Sequence, residues 1–371
     1  MRLAFVFPGQ GSQSVGMLNG FSGNAVVEDY VRRADAALGF PISKLIEEGP
    51  AEELGLTVNT QPALLTASVA FYEAWLAAGG MKPEVMAGHS LGEYSALTAS
   101  GVFGFEEAVK LVRFRAEAMQ SAVPVGVGGM CAVIGLSDSD VLECCAEASK
   151  TGPVEAVNFN SPGQVVIAGE KKALAKAIEL VKAKGCRRAI ELAVSGPFHS
   201  SMLKPAGEKL AARLAEVALS VPEIPVIANV DVKTLANPAE IRTVLAEQGS
   251  SPERDPQSVL RHRLQDGGRR RHGHRRMWSG KGPPGPHPPH CARNPHLRHF
   301  GCGDACRRAR EAEGRAVSTE FKGNKDHNNG KDDFCCRRSR RPGGPCDGRF
   351  PRHRRGGHGS LHEGGGLRRR H

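Results

Sequence analysis

Histidine is scarce in the first 248 residues: only His89 and His199 occur there, out of 14 in the 371-residue chain. Chemistry that needs an imidazole in that stretch therefore has two candidates. No run approaches the roughly 18–20 consecutive apolar residues of a membrane span. Residues 1–20 lack the charged start and apolar core of a secretory signal. Cysteine is sparse as well: Cys131, Cys144, Cys145 and Cys186 precede residue 249 and show no paired spacing. Such usage excludes a disulfide framework and predicts a reduced, cytoplasmic protein without a membrane partner.

Charge is abundant but unevenly placed. The formal net charge is +11, yet residues 249–371 hold 29 Lys and Arg against 12 Asp and Glu, or +17. The remaining 21 and 27 give −6 for residues 1–248. The basic balance thus belongs to the C-terminal segment alone. That segment carries runs such as GGRRRHGHRR, GPPGPHPPH and CCRRSRRPGG, with no amphipathic period long enough to build an element. Three readings stand open: a disordered basic tail, an Arg/Gly-type tail binding single-stranded nucleic acid, or a GC-rich gene read out of frame. We expect no specific nucleic-acid partner. Its Cys and His residues lack the spacing of a zinc site.

Residues 1–248 read as α/β. Leu3–Phe7 is a buried-strand run stopped by Pro8-Gly9. Residues 61–76 carry apolar positions at helical spacing and end at Gly79-Gly80, a C-cap signal. Residues 85–87 form a short strand, 91–100 a helix ended by Gly101, and 105–121 another helix. From 128 to 192 the predicted order is strand, helix, strand, strand, helix, strand, the split-βαβ pattern of ferredoxin-like folds. Helices near 205–217 and 238–248 flank a strand at 225–229. The length allows two ordinary domains. The division expected is a core of 1–127 and 193–248, an inserted subdomain of 128–192, and the tail 249–371.

Gly88-His89-Ser90-Leu91-Gly92 is the GxSxG signature of a nucleophile elbow, a strained strand-to-helix turn that exposes a serine hydroxyl. A serine needs a base to become nucleophilic. His89 adjoins Ser90 on a tight turn and projects elsewhere, which nominates His199. The base needs an orienter on its other nitrogen; no Asp or Glu stands out by motif, so a backbone carbonyl is a candidate. The N–H of Leu91, at the start of its helix, would be one oxyanion donor. The loop Phe7–Gln13 has glycines that free backbone N–H groups to face a ligand, but no P-loop lysine and no GxGxxG spacing. Its Gln10 N–H is the second candidate donor. Arg115 shares a helix face with Leu111, Val112 and Met119. A guanidinium there is costly without an anion, so it is either a bidentate clamp for a substrate carboxylate or part of an internal ion pair.

These residues together resemble the malonyl-CoA:acyl carrier protein transacylases of bacterial fatty-acid synthesis. The matching stretches are FVFPGQGSQSVGM (5–17), AGHSLGEYSAL (87–97), LVRFRAEAMQ (111–120), NFNSPGQVVIAG (158–169), SGPFHSSMLKP (195–205) and IANVDV (227–232). The resemblance implies an α/β-hydrolase-like core with an inserted ferredoxin-like subdomain. It also implies Ser90 as nucleophile, His199 as base, Gln10 and Leu91 as oxyanion donors and Arg115 as the clamp on the malonyl carboxylate. Gln248 matches the position whose main-chain carbonyl orients the histidine, and Phe198 the malonyl-selecting form of its motif. The implied partners are malonyl-CoA and acyl carrier protein, with no metal or redox cofactor. After Gln248 the family continues with a Pro-containing loop, a helix, a strand and a closing helix, none of which is recognisable here. That break would leave a core edge uncovered. The alternatives are a serine thioesterase or esterase of similar fold, and a chain inactive for want of its C-terminal portion.

Overall fold

The computed structural model of the chain describes residues 2–194, 196–255 and 272–276. In chain order the elements are β1 (Arg2–Phe7), α1 (Ala25–Leu38), α2 (Ile42–Glu48), α3 (Ala51–Gly55), α4 (Thr57–Ala77), β2 (Val85–Gly88), α5 (Leu91–Ala99) and α6 (Phe105–Ala122). There follow β3 (Gly128–Ile134), α7 (Asp138–Ala148), β4 (Val154–Ser161), β5 (Gln164–Glu170), α8 (Lys171–Ala183) and β6 (Arg188–Glu191). Last come α9 (Lys204–Glu216), β7 (Val226–Ile227), β8 (Thr234–Leu235), α10 (Pro238–Gln248), β9 (Glu253–Arg254) and β10 (His272–Arg276).

One sheet has the order β10-β1-β2-β7-β8, parallel through its first four strands, with β8 antiparallel to β7. Parallel strands covered on both faces read as continuous apolar runs, and β1 is one. Its Leu3, Phe5 and Phe7 join the main core with Met86, Val226 and the inner faces of α4, α5 and α6. Its Ala4 and Val6 face the other way, with Ala87 and Ile227. Helix α4 is buried on nearly every side and starts a turn before the apolar periodicity does, running through Pro62. Proline has no N–H for the carbonyl four residues back. That carbonyl, of Val58, accepts instead from Arg113 Nη1 at 3.2 Å.

The second sheet has the order β6-β3-β5-β4-β9; neighbours are antiparallel except that β9 runs parallel to β4. Alternation along its strands serves two cores. Cys131, Val133, Val165 and Ile167 pack against α7 and α8. Met130, Val166 and Ala168 pack against Ala118 and Met119 of α6 and against Phe198 and Leu203. Ser137 caps α7, its Oγ accepting from Asp140 N.

Three differences from the sequence reading stand out. Helices α1 to α3 were not anticipated, although Asn24 caps α1 through Val26 N and Val27 N and Gly39 closes it at φ 72°. The folded part runs past Gln248: β9 pairs with β4, and Arg254 N donates to Asn229 O at 3.0 Å. A core edge was expected to lie uncovered, without a strand being named for it; β1 is paired on its outer side with β10 in register Arg2↔His272 to Val6↔Arg276. Edge pairing uses backbone groups and needs no hydrophobic period, so neither short strand left a pattern in the composition. The expected disordered tail otherwise lies outside the described residues. Among the described residues no helix is long and apolar enough to cross a membrane.

Candidate active site

Strand β2 feeds a turn at Ser90 that opens α5. Ser90 holds φ 51° and ψ −107°, a conformation that a side-chain-bearing residue adopts only under constraint. The flanking glycines explain how the turn fits. A Cβ on Gly88 would lie 1.9 Å from the backbone of Gly92, and one on Gly92 would lie 2.3 Å from Phe7 O. The elbow therefore packs directly on the end of β1. His89 N donates to Phe7 O at 3.1 Å, and a Cβ on Gly9 would come 2.5 Å from His89 O. This contact brings the loop carrying Gln10 beside the elbow. The Gln10 side chain is tied down by Nε2 donating to Thr57 Oγ1 at 3.1 Å. Leu91 is the first residue of α5, so its N–H has no carbonyl a turn earlier to bond.

Three side chains and one main-chain carbonyl nominated from the sequence converge. Ser90 Oγ lies 2.9 Å from His199 Nε2. Arg115 Nη2 donates to the same Ser90 Oγ at 3.1 Å. His199 Nδ1 lies 3.0 Å from the Gln248 carbonyl oxygen. The His199 backbone, at φ 63°, donates N–H to Gly249 O at 3.1 Å. Both ends of the imidazole are thus held. His89 points elsewhere, with Nε2 3.1 Å from Asn160 Oδ1.

Arg115 is 1% exposed. Its guanidinium donates to Gln61 Oε1 and Gln248 Oε1, each at 2.9 Å, and lies 5.1 Å from the Tyr94 ring centre. Among the described residues no carboxylate pairs with it, and its Nε–H has no hydrogen-bond partner. The buried carboxyls of Glu93 and Glu253 feel its charge without touching it. A buried cation in direct contact with two neutral amides, the Ser90 hydroxyl and a ring can still gain a strong contact with an incoming anion.

Several residues that the sequence reading did not nominate complete the site. Asn229, just after β7, accepts from Ser90 N through Oδ1 at 2.7 Å and donates from Nδ2 to Gly88 O at 2.6 Å. Glu93, on α5, accepts from Asn229 N at 3.1 Å and from Gln248 Nε2 at 2.7 Å. Gln248 Nε2 also reaches Ser90 O at 3.1 Å. Glu253 places Oε1 3.3 Å from His199 Nδ1, though not aligned as a hydrogen bond, and its Oε2 accepts from Asn158 Nδ2 at 3.2 Å. Glu93 and Asn229 lie inside two of the six stretches quoted for the resemblance, 87–97 and 227–232. Glu253 lies in the basic segment and carried no signal.

Burial dominates the electrostatics. It pushes His199 down to about 3, helped by the Arg115 charge and opposed by the Gln248 carbonyl. The imidazole is therefore neutral at neutral pH, the form that accepts a proton. Burial pushes Glu93 up to about 7 against its bonds to Gln248 and Asn229. It raises Glu253 well above the usual carboxylate range, against the pull of Arg115. Among the described residues no group of three or more His, Cys, Asp or Glu side chains is placed to hold a metal. The arrangement can deliver a deprotonated serine oxygen beside a fixed cation.

Comparison with known proteins shows the family of the chain. Residues 4–260 match the acyl transferase domain family. The chain is 52% identical over 259 residues to the malonyl CoA-acyl carrier protein transacylase of Salmonella typhimurium, covering 70% of this chain and 84% of the relative. It is similar in structure to the acyl-carrier-protein S-malonyltransferase of Burkholderia pseudomallei 1710b, with a TM-score of 0.72 and 54% identity over 76% of this chain and 90% of that one. A malonyl-transacylase solved in complex with its type II PKS acyl-carrier protein also superposes at a TM-score of 0.72, with 44% identity and the same coverage.

Proposed function

The chain belongs to the acyl transferase domain family, and on that footing we propose that it moves a malonyl group from coenzyme A to the phosphopantetheine thiol of acyl carrier protein. The observation that carries this is a single oxygen, Ser90 Oγ, held at 2.9 Å from His199 Nε2 and at 3.1 Å from Arg115 Nη2. A base and a cation meet at the attacking atom, as loading of an acyl group that bears its own carboxylate requires.

His199 takes the Ser90 proton on Nε2 while Oγ attacks the thioester carbonyl. The N–H groups of Gln10 and Leu91 receive the charge on the carbonyl oxygen. Collapse breaks the C–S bond, and the coenzyme A thiolate leaves with the proton from His199. The carrier thiol then gives its proton to His199, attacks malonyl-Ser90 and releases the serine. Arg115 clamps the malonyl carboxylate, and the Gln248 carbonyl holds the imidazole tautomer through Nδ1–H. Phe198, buried against Ala118 and Met119, limits the acyl side chain to malonyl size.

This reading divides the chain into an α/β-hydrolase-like core, 1–127 with 193–248, a ferredoxin-like subdomain, 128–192, and the segment 249–371, from which β10 joins the core sheet and β9 the subdomain sheet. The order β6-β3-β5-β4 with α7 and α8 on one face supports the second. Free Cys131, Cys144, Cys145 and Cys186 fit a reducing cytoplasm.

The test is transfer of label. With radiolabelled malonyl-CoA the protein should acquire label on Ser90 and pass it to holo-acyl carrier protein. Ser90→Ala should take none, and His199→Ala should load at least about a thousandfold more slowly. Label on another residue, or undiminished loading by His199→Ala, would overturn the proposal.

A further inference from the structure

We infer that Glu253 is a positioning residue for His199, a buried counter-charge that turns the Ser90–His199 pair into a Ser90–His199–Glu253 triad. The inference rests on the acyl-transfer reading of that pair. Three observations carry it. Glu253 Oε1 lies 3.3 Å from His199 Nδ1, on the side of the ring opposite the serine. The carboxyl is 1% exposed, and among the described residues that oxygen has no hydrogen-bond partner. Its position is built rather than incidental: β9 pairs Glu253 with Asn158 and Arg254 with Phe159, and Asp255 N donates to Phe159 O at 3.1 Å. Asn158 Nδ2 fixes the other carboxyl oxygen at 3.2 Å.

The Gln248 carbonyl already sets the tautomer, so the carboxyl is not needed for orientation alone. What a carbonyl supplies poorly is charge. As Nε2 takes the serine proton, a full positive charge forms on a ring with almost no solvent. Arg115 stands nearby as a like charge. A carboxylate beside Nδ1 offsets that imidazolium. On collapse the proton leaves Nε2 with the thiolate and the ring is neutral again, so Glu253 neither gains nor loses a proton in the cycle.

Glu253 must be ionised to act. The groups that set its ionisation are Arg115 on α6, Glu93 and Tyr94 on α5, Asn158 on β4 and His199 itself. Burial and Glu93 disfavour the charge; Arg115 and Asn158 favour it. The loading rate should therefore climb with pH as Glu253 ionises, well above the ordinary carboxylate range.

The experiment is single-turnover formation of malonyl-Ser90 from malonyl-CoA by the full chain across pH 5 to 9, for wild type, Glu253→Gln and Glu253→Asp. Wild type should show the rising limb. Glu253→Gln, isosteric and able to keep the Asn158 bond, should lose the limb and load roughly tenfold slower, the worth of about one pKa unit of coupling. Glu253→Asp should recover the limb and part of the rate. A Glu253→Gln profile that superimposes on wild type would overturn the inference, as would Glu253→Asp matching Glu253→Gln throughout. Should the variants not fold, an NMR titration of His199 in the wild-type chain decides: its ring signals should shift with a second inflection as Glu253 ionises, and a single inflection refutes the coupling. If the wild type takes no label at all, it is the acyl-transfer reading that fails. If it labels normally and only Glu253 proves indifferent, this inference fails alone.

Discussion

In the proposed function, Arg115 is the residue on which substrate choice turns. Charge held between two glutamine amides and a tyrosine ring gains most from an incoming carboxylate, which it can meet with two parallel N–H bonds. Arg115→Ala should lower kcat/KM for malonyl-CoA by about 100-fold, some 3 kcal/mol, as loss of one partner from a buried charge pair does. Acetyl-CoA offers no carboxylate and should lose much less, so the malonyl-to-acetyl ratio should fall. Competition between the two thioesters reads this directly, and an equal drop for both would remove the clamp. Arg115→Lys should recover little, because an ammonium cannot reproduce the planar fork.

At the scale of elements, the site is a joint between β1, β2 and α5. Gly88 and Gly92 let three backbone segments touch, and neither neighbour that a Cβ would strike is a flexible side chain. Gly92→Ala should therefore destabilise by ~3 kcal/mol, at the upper end of overpacking costs. Urea unfolding checks this; a loss below about 0.5 kcal/mol, typical of a neutral surface change, would mean the joint is looser than drawn. Much of this joint was legible in the sequence. Strand, Gly-rich turn and helix around Ser90 were readable because a buried parallel strand and a tight turn each demand particular residues in particular places. Helix α1 had cap signals in Asn24 and Gly39 but was not assigned, and α2 and α3 have no side-chain N-cap to mark them. Strands β9 and β10 had no signal, since backbone pairing at a sheet edge imposes no side-chain pattern.

For the whole molecule, the buried ionisable groups couple folding to pH in opposite senses. Glu93 sits near 7 when folded and near 4.5 when unfolded. The folded state keeps a proton the unfolded chain has shed, so its contribution is present below 4.5 and lost as pH rises through 7. His199 sits near 3 when folded and near 6.5 when unfolded. There the unfolded chain takes a proton that the folded one refuses, and stability falls as pH drops below 6.5. Glu93→Gln cannot ionise. Relative to wild type it should be more stable at pH 8 than at pH 4.5, by a difference of order 3 kcal/mol. Thermal or urea unfolding at the two pH values measures it, and a difference independent of pH would contradict a buried, proton-holding Glu93.

The sequence by itself nominated the candidate nucleophile, base and cation. Scarcity left one usable histidine, GxSxG marked the serine, and helical periodicity put Arg115 on an apolar face. These are local signals, readable because turn geometry and helix pitch act over a few residues. Only the tertiary structure decided what surrounds them. It brought Gln248 and Glu253 to the far side of the imidazole from nearly fifty residues away or more, and Asn229 beneath the elbow across 139 residues. It also buried the whole group deeply enough to hold the histidine neutral. Burial and long-range contact are properties of the folded chain, and no run of neighbouring residues records them.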